Sequence, residues 1–134
     1  MKLKFAAVSV ALAALALPTM LSAADGLKYE DLVHCAATNL VIAQVLGLDD
    51  GATKNKTDID KFQNQAASLM AIASVGSKKD TDTVIADTKK EQDAVIAIIG
   101  DKSKSDGFIS TDVPKCKTMG EAAVEVLAEK KGGK

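Results

Sequence analysis

Two cysteines, Cys35 and Cys116, stand far apart in a chain that has little else from which to build a rigid core. Two thiols allow a single intramolecular pairing. A bridge between them closes a loop of about 81 residues, worth roughly 4 to 5 kcal/mol by chain-entropy reasoning. Such a staple forms and persists only in an oxidising compartment, and the N-terminus supplies the address. Lys2 and Lys4 are followed by the apolar run 5–17, then by Pro18 and the small residues Ser22, Ala23 and Ala24. That is the order of a secretory signal peptide. The run is shorter than the roughly 20 residues a membrane-spanning helix needs. Residues 1–24 are therefore expected to be removed, with no stable membrane insertion afterwards. Residues 25–134 are left as one domain of about 110 residues, periplasmic or secreted and closed by a Cys35–Cys116 disulfide.

The other uses of these thiols lack their motifs. There is no C-x-x-C for a thioredoxin-like couple and no C-x-x-C-H for covalent haem. Cys35 also lies too far from the cleavage point to be the lipidated first residue of a lipoprotein.

Composition narrows the function classes. All 18 acidic residues lie beyond position 24 while Lys2 and Lys4 leave with the signal, so the mature domain is mildly acidic. Arginine is absent, and with it the guanidinium fork that captures phosphates and carboxylates bidentately. After cleavage the only aromatic rings are Tyr29, Phe62 and Phe108. Nucleic-acid recognition by phosphate clamps or base stacking is not expected on such a surface. The core must be made of Ala, Val, Ile, Leu and Met.

Four segments carry apolar residues at helical spacing, and none alternates with period two for long enough to suggest a sheet. The first covers 28–46, with Leu32, Cys35 or Ala36, Leu40, Ala43 and Leu46 on one stripe before Gly47. The second opens on a Thr57/Asp60 capping box and carries Ile59, Phe62, Ala66, Leu69, Met70 and Ala73 up to Gly76. The third is capped by Thr81 or Asp82, turns Ile85, Thr88, Gln92, Val95 and Ile99 inward and ends at Gly100. The fourth is short, 119–130, with a Thr118/Glu121 capping box and Ala122, Ala123, Val126 and Leu127 buried. The pattern predicts an all-α fold: a small antiparallel four-helix bundle, three helices long and one short, stapled by one disulfide. The glycines that follow three of the segments are ordinary helix stops and no internal duplication. The lysine- and glycine-rich end 130–134 is expected to fray.

The stretch 101–117 has no helical pattern. Phe108 and Ile109 return to apolar character within it, and Val113-Pro114 favours extended backbone. Because Cys35 lies about 16 Å down the first helix from its C-terminal end, this stretch is expected to run extended along that helix before Cys116.

Candidate chemistry is sparse. His34 adjoins Cys35, but neighbouring helical residues point about 100° apart, so the imidazole does not face the sulfur as a Cys-His nucleophile requires. The expectation is a partly exposed histidine beside a structural cystine. No G-x-S-x-G and no second histidine support a catalytic serine. Asp49-Asp50 and Asp58/Asp60 lack the calcium-loop pattern and read as a turn and a helix cap. Asn55-Lys56-Thr57 is a glycosylation sequon. The chain is thus expected to be non-enzymatic and to need no cofactor or metal. It is expected to work by protein binding on another envelope protein, as an inhibitor, immunity factor or adaptor, with Phe108 and Ile109 the candidate contacts; packing of the same two residues on the first helix is the competing account.

A small, secreted, all-helical domain with one long-range disulfide also resembles, in architecture and in no motif, the periplasmic acid-stress chaperones of the HdeA type. That resemblance implies a holdase activated by acid. Carboxylates would lose their charge, lysines and His34 would keep theirs, and the staple would hold a loosened chain with apolar helix faces exposed.

Overall fold

The computed structural model describes residues 28–132; the segment 1–24 expected to be a signal peptide and the last two residues of the tail lie outside them. The described chain is helical: α1 (Tyr29–Leu46), a short α2 (Gly51–Lys54), α3 (Lys56–Ser77), α4 (Thr81–Ile99), α5 (Lys102–Gly107), a π-helical turn (Phe108–Asp112) and α6 (Val113–Gly132). Four of these, α1, α3, α4 and α6, form the bundle, and Cys35 is bonded to Cys116 with Cα atoms 4.7 Å apart.

α1 is the central helix. The sequence pattern gives it one stripe, but Leu32, Val33, Cys35, Ala36, Ala37, Thr38, Asn39, Val41 and Ala43 are all buried, while Leu40 and Leu46 are only half-buried. Its middle is made of small side chains, so α3, α4 and α6 all approach it closely and bury more than one face. One core cluster joins Leu32, Cys35 and Ala36 to Ala66, Leu69, Ile72 and Ala73 of α3, Val84 of α4, and Cys116 and Ala123 of α6. A second joins Ala37 and Val41 to Val95 and Phe108.

The helix ends differ from the sequence pattern where side chains find other work. α3 starts at Lys56, without a Thr57/Asp60 box; Asp60 pairs with Lys56 at 2.8 Å instead. α3 also runs past Gly76 to Lys78, which takes the left-handed stop itself at φ 56°. α4 is capped by Asp80, one residue before the expected Thr81, through the Thr83 amide at 2.7 Å. On α4 Val84 is buried in place of Ile85, which faces out.

The largest correction concerns 101–117. It is not extended. Helical backbone continues from Lys102 to Gly132, so α6 begins at Val113, and Thr118 and Glu121 lie inside it instead of capping it. Ala122, expected inward, is exposed. Proline in a helix lacks an N–H and clashes with the carbonyl four residues before it. Pro114 sits just after the π-turn, and the widened turn is how the helix accommodates it. Phe108 meets Ala37 and Val41, Asp112 meets His34, Cys116 meets Cys35, and Gly120 lies against Asn39. The run crosses α1 at its middle, which brings Cys116 to Cys35 without an extended descent.

Candidate interaction site at the helical crossing

The crossing gathers most of the distinctive chemistry of the molecule. His34 leaves α1 toward both α4 and the π-turn, its Nδ1 2.8 Å from Glu91 Oε2 and its Nε2 3.0 Å from Asp112 Oδ2. Both contacts are donated together only when both ring nitrogens carry a hydrogen. The ring stands edge-on to Phe108, with centroids 6.0 Å apart, and the side chain is 25% exposed. One turn earlier, the Tyr29 hydroxyl donates to Asp87 at 2.6 Å. Desolvation and the Asp87 carboxylate together push its pKa up to about 12. Lys79 lies over the same ring, 4.2 Å from its centre.

Phe108 and Ile109 part company. Phe108 is 5% exposed and belongs to the core against α1 and α4. Ile109 is 56% exposed. Of the two candidate contacts, Ile109 alone presents its side chain to solvent. Cys35 and Cys116 are both buried and bonded to each other, with the Met119 thioether 3.5 Å from the Cys35 sulfur. Cys35 is therefore no nucleophile for His34.

One member of each acidic pair singled out in the first half is engaged with a lysine: Asp50 with Lys54 at 2.9 Å and Asp60 with Lys56 at 2.8 Å. Among the described residues no three His, Cys, Asp or Glu side chains are grouped to hold a metal, and no helix is long and apolar enough to cross a membrane. Asn55 of the sequon donates its amide to the Leu46 carbonyl at 2.9 Å, tying the end of α1 to the start of α3.

Below the crossing lies a buried polar set that sequence patterning does not signal. Thr38, Asn39 and Gln65 are buried, yet Thr38 Oγ1, both amide atoms of Asn39 and Gln65 Oε1 find no hydrogen-bond partner in the protein. Each such group costs about 1–3 kcal/mol. Asn39 and Gln65 sit where α6 passes over α1 and α3 at Gly120, whose missing side chain would come within 2.8 Å of Asn39 Nδ2 and of Gln65 Oε1. Beside this point an open groove of about 420 Å³ runs between α3 and α6, past Asp60, Lys61, Asn64 and Glu121.

His34 was legible as a lone histidine, but Glu91 and Asp112 were not legible as its partners. They are 57 and 78 positions away, and only the packing of α4 and the π-turn on α1 brings them together. No family model matches the chain, and no curated protein or solved structure proved similar to it.

Proposed function

We propose that this chain is a non-catalytic, extracytoplasmic protein-binding module, periplasmic or secreted, whose binding faces are uncovered by acid. One observation carries the reading. Among the described residues, every side-chain hydrogen bond or ion pair that links one principal helix to another, or to the π-turn, ends on a carboxylate. These are Tyr29 to Asp87, His34 to Glu91 and to Asp112, and Lys61 to Glu121. Ties that end on carboxylates lose their charge assistance in strong acid, where carboxylates in general are neutral and lysines cationic, so such ties weaken as repulsion grows. The Cys35–Cys116 bond is indifferent to protons and limits how far the chain opens. What becomes exposed is the small-residue aliphatic core, a surface suited to the apolar segments of other unfolding proteins. The signal-like N-terminus and the disulfide both support a place outside the cytoplasm.

The test is light scattering of citrate synthase near pH 2, below the ordinary carboxylate range, with oxidised protein spanning 25–134. Suppressed aggregation in acid, no suppression at neutral pH and a weaker effect after reduction of the disulfide are the expected results. Aggregation unaffected at equimolar and higher ratios in acid would overturn the reading.

A second reading rests on Ile109, an exposed apolar side chain held on an anchored turn. It suits a constitutive contact with one folded envelope protein, of inhibitor, immunity or adaptor type. Crosslinked capture from envelope extract at neutral pH separates the two: one stoichiometric partner that is lost with Ile109→Asp supports this reading instead.

A further inference from the structure

We infer that the part of α6 beyond the disulfide, residues 120–132, is the segment of the bundle that opens first, swinging about Cys116 while the rest stays folded. The sealed amides of Asn39 and Gln65 are what destabilise its closed position. This inference concerns the native protein at neutral pH and stands whether or not acid activates binding.

The two halves of the run that crosses α1 are held very differently. Before the disulfide, Phe108 is packed in the core, Asp112 is bonded to His34, and Cys116 is covalently fixed. After it, α6 carries one buried side chain among the described residues, Ala123, with Met119, Val126 and Leu127 half-buried against the core. The only ion pair from this half among the described residues is Lys61 to Glu121, at 3.8 Å with both side chains about half exposed. Pairs of that kind contribute little.

Closing this half has a cost that closing the other does not. Gly120 seals Asn39 and Gln65, which are 0% and 2% exposed, with three unpartnered amide atoms between them. A side chain at Gly120 would fall 2.8 Å from Asn39 Nδ2, from Gln65 Cβ and from Gln65 Oε1. α6 thus lies directly over these groups, and no protein donor or acceptor reaches them while it is down. Lifting α6 hydrates them. Segments that trade poor closed-state contacts for hydration are the ones that open at low free energy.

Amide hydrogen exchange at neutral pH, resolved by residue, tests this on the oxidised protein. Amides of 121–129 should exchange faster than those of 33–41 in α1, with the difference persisting at all protein concentrations. Two variants should move it in opposite directions. Asn39→Leu combined with Gln65→Met replaces the orphaned amides by apolar groups of similar shape, and should slow exchange in 121–129 by about tenfold. Gly120→Ala should speed exchange there by a similar factor and leave 33–41 unchanged. If Gly120→Ala does not fold, the double variant still decides. Exchange of 121–129 in step with α1 in the unsubstituted protein, or a double variant that shifts both helices equally, would overturn the inference. A failed client-aggregation assay would not.

Discussion

At the scale of single residues, ionisable side chains set the pH range over which the fold holds. Tyr29 donates to Asp87, and its pKa is raised from 10.0 to about 12. Because the folded value lies above the unfolded one, the contribution is complete below pH 10.0 and is lost as pH rises toward about 12. Urea unfolding followed from pH 9 to 12 should therefore show an alkaline loss of stability that is smaller in Tyr29→Phe. Asp80 and Asp101 behave in the opposite sense. Hydrogen bonds from Thr83 and from Ser103 hold both carboxyls below the ordinary value. Their contributions are present above the usual carboxylate range and fade as pH falls through the folded values. Asparagine caps a helix about as well as aspartate, whereas alanine does not. Thermal unfolding at neutral pH should thus give Asp80→Asn a Tm close to the parent and Asp80→Ala a Tm lower by a few degrees, and only the parent should lose this contribution in acid.

At the scale of elements, burial separates helices that composition makes look alike. α3 turns Leu69, Ile72 and Ala73 fully into the core, whereas α4 buries only Val84, Thr88 and Val95 and leaves Ile85 and Ile96 half exposed. Leu69→Ala removes a side chain that is 1% exposed and should cost about 2–5 kcal/mol in equilibrium unfolding. Ile85→Ala should change stability by no more than about 0.5 kcal/mol, although helical spacing alone marks it as a core position. The contrast is a direct check on which way α4 is rotated. The spacing of Val84, Thr88, Val95 and Ile99 fits one stripe as well as that of Ile85, Thr88, Gln92, Val95 and Ile99. The choice between them is made by what packs there: Val84 joins the cluster of Leu32, Cys35 and Ala36, and Val95 joins that of Ala37 and Val41. Helix existence was legible from periodicity, then, and helix rotation was not. The same holds for 101–117, where Pro114 and the polar residues before it suggested extended chain. A proline breaks a regular α-helix, but a helix packed on both sides of it can absorb the break in one wide turn.

For the whole molecule the disulfide joins the central helix to the one that crosses it. A Cys35→Ala/Cys116→Ala variant should unfold at lower denaturant, losing roughly 4 to 5 kcal/mol if the chain-entropy account holds. Far-UV circular dichroism at neutral pH should still show helix where the variant remains folded, because the apolar contacts of α1 with α3 do not depend on the bond. The loss should be largest in signals from α6, whose attachment to the bundle runs through Cys116. Equilibrium unfolding monitored by hydrogen exchange measures both. The candidate site was half legible in the same sense. The lone histidine, the isolated Phe108-Ile109 pair and the two cysteines stand out in the sequence. That Phe108 would be core and Ile109 surface, and that two distant carboxylates would converge on His34, depended on the crossing.

By itself the sequence determined the helical class, the four principal segments, the pairing of two cysteines that had no other choice, and the dependence on small aliphatic packing in a chain without arginine and almost without aromatic rings. These follow from local periodicity, from counting and from composition, all of which are readable along the chain. Only the tertiary structure decided that α1 would be surrounded, that 102–132 would be one helical run lying across it, and that Asn39 and Gln65 would be sealed beneath Gly120. Those outcomes depend on which small residues meet at a crossing. Alanine, glycine and asparagine carry no periodic signal strong enough to announce a close approach between segments many residues apart.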